Sequence, residues 1–203
     1  MTYHADFSAS PSIVILRRLL PVVMAAVGVF AAGCTSKQDA SRANFEEAIQ
    51  AGLAAGPRMC VTLTLSWPDE MYDSDDQRAA LTTFTNAGLL SAEPVVMPGM
   101  FGRKEPGHRY NLTAEGKKYA DRGAFCYGKP RLVKLLSWDP VETEAGIAST
   151  KAHFTYEIEG LPDWAKRDDI GAAYPNIKTM VHGQNNLSMM VRLMRDGDRW
   201  HTY

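Results

Sequence analysis

The sequence predicts an α+β fold with an antiparallel, curved sheet and a few short helices. Three patterns carry this. Phe45, Ile49 and Leu53 recur at four-residue spacing, the period of a helix with one apolar face. Residues 150–158 alternate strictly, with Thr150, Ala152, Phe154, Tyr156 and Ile158 on one side and Lys151, His153, Thr155 and Glu157 on the other, the period of a half-buried strand. Asp196-Gly197-Asp198-Arg199 separates two apolar segments and reads as a hairpin turn. The chain has 203 residues, 45% of them apolar and 22% charged, which excludes a disordered or fibrous chain. Its 22 basic and 23 acidic side chains leave a net charge of −1. That balance argues against a basic nucleic-acid binder or a polybasic membrane-surface protein.

The first helix begins at Ser41 or Asn44 and ends at Gly56-Pro57. Met59–Trp67 then reads as a strand, because Val61, Leu63, Leu65 and Trp67 alternate with threonine and serine. Residues 68–77 form an acidic loop with Asp69, Glu70, Asp73, Asp75 and Asp76. Arg78–Ala87 is a helix with Leu81 and Phe84 inward and Gly88 as its C-terminal cap. A Pro/Gly/Met loop follows Leu89-Leu90 over residues 95–107. Its Met97, Met100 and Phe101 form either an exposed apolar tip or a loop folded onto the sheet. Thr113 caps a short helix that runs to about Asp121.

The second half is strand-rich, with strands over Phe125–Tyr127, Arg131–Trp138, Thr150–Ile158, Leu187–Arg195 and Trp200–Tyr203. Pro162 opens a helix that Pro175 stops, and Trp164 near its start is either core or a partner-binding anchor.

The N-terminus reads as an address. Arg17-Arg18 precede a twelve-residue apolar run, Leu19–Phe30, which is short of the roughly 20 residues a spanning helix needs. Small residues and a cysteine follow, Ala31-Ala32-Gly33-Cys34. Charge, a short apolar stretch and small residues make an export signal, of a lipoprotein or of a plain secretory kind, with an uncleaved buried helix as the other alternative. Ala-Ala-Gly-Cys resembles the lipobox of bacterial lipoproteins, with Ala31 where that family more often has leucine. The resemblance covers residues 13–34. It implies cleavage before Cys34, acylation of that cysteine, and attachment to the membrane through the acyl chains. Thr35-Ser36 follow, without the Asp that retains such proteins in the inner membrane, which implies the periplasmic side of the outer membrane in a Gram-negative cell. The domain layout expected is a signal over 1–33, a small polar tether over 34–42, an α+β part over 43–123 and a sheet part over 124–203, the last two forming one unit.

The sequence has three cysteines. With Cys34 assigned to lipid, Cys60 and Cys126 remain, each in a strand context. An oxidising compartment permits a disulfide between them; two buried free thiols are the alternative.

Residues 78–121 carry a second resemblance. Leu81, Phe84, Gly88-Leu89-Leu90, then Arg109-Tyr110, Leu112-Thr113 and Gly116 are similar to the last helix, wing and following helix of winged-helix regulators such as the PadR and MarR families. DNA binding does not follow, since a strand and an acidic run stand where a basic recognition helix belongs.

Few residues suggest catalysis. The histidines of the exported part, His108, His153, His182 and His201, are too far apart in sequence for a helix-face metal pair. The acidic run lacks the glycine and glutamate of a calcium loop. No nucleophile elbow or phosphate-binding glycine loop appears, so no catalytic residue, metal site or cofactor is assigned. The reading reached from sequence is a lipid-anchored envelope protein that works by binding or assembly with a protein partner and no nucleic acid, as an inhibitor, an immunity protein or an accessory lipoprotein. The alternative is a periplasmic hydrolase acting on envelope material.

Overall fold

A computed structural model of the protein describes residues 36–63, 65–75 and 77–203, which belong to a unit running from Thr35 to Tyr203. The expectations placed on residues 1–35, including the signal and acylated Cys34, lie outside the described residues. The fold is mixed α+β with antiparallel sheets.

Helix α1 (Arg42–Ala55) starts at Ser41, whose hydroxyl accepts from the Asn44 amide, and ends where Gly56 N–H donates to the Gly52 carbonyl. Phe45 and Ile49 are fully buried. Residues 36–39, within the stretch expected as a tether, are tied down. Asn44 Nδ2 donates to the carbonyls of Ser36 and Asp39, and Trp200 Nε1 donates to those of Gln38 and Asp39.

The largest sheet contains β7 (Lys129–Trp138), β8 (Glu142–Glu144), β9 (Ile147–Glu159), β10 (Met189–Arg195) and β11 (His201–Thr202). Its order is β11-β10-β9-β7, with β8 beside the start of β9. The alternation read for residues 150–158 is the burial pattern of β9, apart from Thr155, which is buried too. Ala145 and Gly146, with φ of 49° and 84°, close the tight β8–β9 turn. Two register shifts in β7, at Leu132/Lys134 and Leu135/Ser137, mark bulges, and bulges bend a strand. Helix α1 covers β7, the outermost strand. Gln50 Oε1 accepts from Leu132 N, Arg42 donates to the Leu135 carbonyl, and its guanidinium lies over the Trp138 ring. Phe45 packs edge-on to Trp138 and Trp200, with centroids 5.3 and 4.9 Å away.

A second sheet holds β2 (Asp69–Tyr72), β3 (Leu90–Pro98) and β4 (Lys104–Leu112) in the order β2-β4-β3, with helix α2 (Gln77–Asn86) between β2 and β3 in sequence. Two expectations are corrected here. The acidic stretch is not all loop: residues 69–72 pair with β4, where Glu70 stands opposite Arg109 and binds it, and Met71 is buried. Asp76 lies outside the described residues. Residues 95–107 are not a loop either. They form most of a nine-residue-stranded hairpin that turns only over residues 99–103, because β3 is an outer strand and such strands tolerate Pro94 and Pro98.

A third small sheet, β1-β6-β5, is made from β1 (Cys60–Thr62), β5 (Ala120–Asp121) and β6 (Ala124–Cys126). Strand β1 is shorter than the Met59–Trp67 expected, although Leu63, Leu65 and Trp67 still pack on the core. Between β4 and β5, α3 (Gly116–Tyr119) follows Thr113, whose hydroxyl accepts from Gly116 N.

Pro162 is followed by a 3₁₀ turn (Asp163–Lys166), then by α4 (Asp168–Ala173) and α5 (Pro175–His182). Pro175 therefore ends one helix and also begins the next, as its fixed φ and missing N–H suit the first helical position. Trp164 is core. It is 6% exposed, and the rings of Phe84, Tyr119, Phe125 and Tyr127 surround it at centroid distances of 5.8 to 6.4 Å.

Candidate functional site

Cys60 and Cys126 stand directly opposite each other on β1 and β6 and form a disulfide. It staples α1's exit to the strand that leads into the large sheet.

Of the acidic stretch, Asp73 is the most connected. Its Oδ1 lies 2.6 Å from His108 Nδ1 and 3.4 Å from Arg78 Nε, and Asp75 Oδ1 accepts from Gln77 N at the start of α2. His108 projects from β4, so the pair locks the β2–α2 turn onto the hairpin. Both residues line a cleft of about 420 Å³ with Val95, Val96, Lys104 and Glu105. A histidine held by a carboxylate is the start of an acid–base device. No serine, threonine or cysteine lines the same cleft among the described residues. His153, His182 and His201 lie elsewhere: on the outer face of β9, at the end of α5, and on β11, where His201 Nδ1 is 3.8 Å from Asp196. Among the described residues no three His, Cys, Asp or Glu side chains gather as a metal site, and no helix is long and apolar enough to cross a membrane.

Two surfaces stand out instead. The first is the outer face of the large sheet. Strand register sets Ser137, His153 and Met190 in one row, Lys134 opposite Thr155, and Lys151 opposite Arg192. Arg131 is neutralised by Glu157. Lys134, Lys151 and Arg192 are exposed and have no ion-pair partner among the described residues. Like charges directly opposite one another destabilise a sheet, so the Lys151–Arg192 pair leaves a site that an acidic group would relieve. A shallow cleft at that pair is lined also by Ser149, Thr150 and the acids Asp139 and Glu142. Exposed apolar side chains border the cations: Val133 and Leu136 on β7, Met190 on β10. These rows are invisible in the sequence, since each joins residues 16 to 41 positions apart.

The second surface is the end of the β3–β4 hairpin. Of the two alternatives for Met97, Met100 and Phe101, the exposed tip holds for Met100 and Phe101, while Met97 is partly covered and lies against Gly107. Phe101 is 94% exposed and Met100 and Val96 71%.

The titration of buried groups concerns tyrosines. Burial raises the phenols of Tyr110, Tyr127 and Tyr156, and pushes that of Tyr174 up to about 12. Tyr156 Oη donates to the Met180 carbonyl at 2.7 Å, so it is held as a neutral donor.

No protein-family model matches the chain, and neither the search of curated proteins nor that of solved structures found a significant match.

Proposed function

We propose that this is a lipid-anchored cell-envelope protein, held on the periplasmic side of the membrane through Cys34, that works by binding a protein partner with an acidic surface. The observation that carries the binding reading is the outer face of the large sheet, where Lys134, Lys151 and Arg192 stand unpaired among Val133, Leu136 and Met190. Apolar contacts flanked by cations held in no ion pair among the described residues, with Asp139 and Glu142 in the same cleft, suit recognition of a partner that presents acidic side chains. An inhibitor, an immunity protein or an accessory part of an envelope assembly all fit this use.

The winged-helix resemblance of residues 78–121 gains support from the order β2-β4-β3 with α2 between β2 and β3. Its usual partner does not. Helix α2 carries a single cation, Arg78, and that guanidinium is engaged by Asp73, so the helix has nothing to offer a phosphate backbone. The hydrolase alternative draws on His108–Asp73. Since no serine, threonine or cysteine lines the cleft among the described residues, the pair would act there by activating water.

The test is affinity capture from crosslinked, solubilised membranes. The wild-type chain is expected to retain a stable envelope protein, and Lys151→Glu/Arg192→Glu to lose it. Equal retention by both proteins, or no stable partner at all, overturns the binding reading.

A further inference from the structure

The hairpin tip is built differently from the sheet face. Gly99, Met100, Phe101 and Gly102 make the turn, with Phe101 and Gly102 in the left-handed region at φ of 57° and 74°. This directs an almost fully exposed aromatic ring away from the strands that carry it. Arg103 and Lys104 follow at once, both exposed and neither in an ion pair among the described residues; the nearest acid, Glu105, folds back over Gly99. The tip cannot act by adding a strand along β3, because Pro94 and Pro98 interrupt that edge. It has only its side chains to offer: an apolar end, then a cationic collar. That division matches a bilayer interface, where apolar groups enter the acyl boundary and cations stay at the phosphates.

The chain outside the described residues points the same way. Ser36 is already tied to α1, so only Thr35 lies between it and Cys34, a reach of at most about 7 Å. So short a leash keeps the domain at its own membrane, where it strengthens a weak contact only on the side of the domain that Ser36 occupies.

We propose that the β3–β4 tip is a second membrane contact, in which Val96, Met100 and Phe101 enter an anionic lipid interface and Arg103 and Lys104 bind its headgroups. The effective-concentration argument rests on the lipid-anchor reading; the tip chemistry does not.

The experiment places an environment-sensitive NBD dye at Met100→Cys in the mature, acylated protein; Cys60 and Cys126 are joined, so the new thiol takes the label. The protein is reconstituted in vesicles of mixed phosphatidylglycerol and phosphatidylcholine, or of phosphatidylcholine alone, and its acylation is checked by mass. At the tip the dye is expected to brighten, shift to the blue and be quenched by acyl-chain nitroxides, most in the anionic vesicles. The same dye at Ser137→Cys should do none of this. Arg103→Gln/Lys104→Gln should lower the ratio of inserted to free tip by roughly 30-fold at low salt, at about 1 kcal/mol per cation. A tip dye that stays aqueous on an acylated protein overturns the proposal, as does burial of the dye only after soluble envelope proteins are added. If Cys34 proves unacylated the anchor reading falls, and the same labelled protein mixed with added vesicles still decides the tip.

Discussion

Gly116→Ala sets two physical effects against each other with opposite signs. Gly116 opens α3 and its φ is not in the left-handed region, so alanine fits the backbone. Helix propensity alone predicts a gain of about 1 kcal/mol. The packing predicts a loss. A β-carbon there would collide with the Leu89 carbonyl oxygen, 2.9 Å from its carbon and 3.2 Å from its α-carbon, and none of these is a side chain that can rotate away. Leu89 is 1% exposed and held in place: its carbonyl accepts from Thr113 N at 3.1 Å, while Thr113 Oγ1 donates to the Gly88 carbonyl at 2.6 Å and accepts from Gly116 N at 2.9 Å. Moving either segment strains this clasp at the base of the hairpin. Two of its bonds at about 1 kcal/mol each, with about 1 kcal/mol of overpacking, outweigh the propensity gain and leave a net loss of about 2 kcal/mol. Urea unfolding followed by tryptophan fluorescence reads this as a lower midpoint. Gly146→Ala is the control: its φ is +84° and nothing lies within 4 Å, so only the backbone cost of about 1 kcal/mol applies. If Gly116→Ala is as stable as wild type or more so, the close approach of α3 to Leu89 is wrong.

Two further outcomes concern the crosslink and pH. The Cys60–Cys126 disulfide has a sequence separation of 66, and removing both cysteines as alanine should cost about 4 kcal/mol on the chain-entropy account, measured by urea midpoints with and without the bond. The Tyr174 phenol, which burial raises to about 12, should leave a late step in the alkaline absorbance titration. Between about pH 10 and about pH 12 the unfolded chain has lost this proton and the folded chain has kept it, so stability is intact below that window and falls across it, by at most about 1.4 kcal/mol per unit from this group. Urea midpoints at about pH 9 and about pH 11 test the sign, and Tyr174→Phe should flatten the difference.

Local order was readable where one physical signal acted alone. The β9 alternation, a start for α1 at Ser41 or Asn44 and the turn before β11 follow from residue type and spacing, whereas the facing of Cys60 and Cys126 depends on the β1–β6 register. Signals with two meanings misled. Pro175 reads as a stop when it is also a start, and Pro98, Gly99 and Gly102 suggest a loop where an outer strand absorbs the proline. The acidic stretch hid a strand because Glu70 finds Arg109 across the sheet, 39 residues away. The surfaces were less accessible still. The facing of Lys151 and Arg192 depends on the β9–β10 register, and the closeness of Asp73 and His108 on the β2–β4 pairing. Sequence spacing contains neither.

The clasp between Trp200 and the carbonyls of Gln38 and Asp39 joins the two ends of the described chain. Mechanically, this makes residue 36 a poor place from which to peel the protein apart. Tension entering there divides at once between α1 and the final β-hairpin. A pull on the N-terminus therefore loads the helix and the hairpin together, and neither end can be drawn off without breaking its hold on the other.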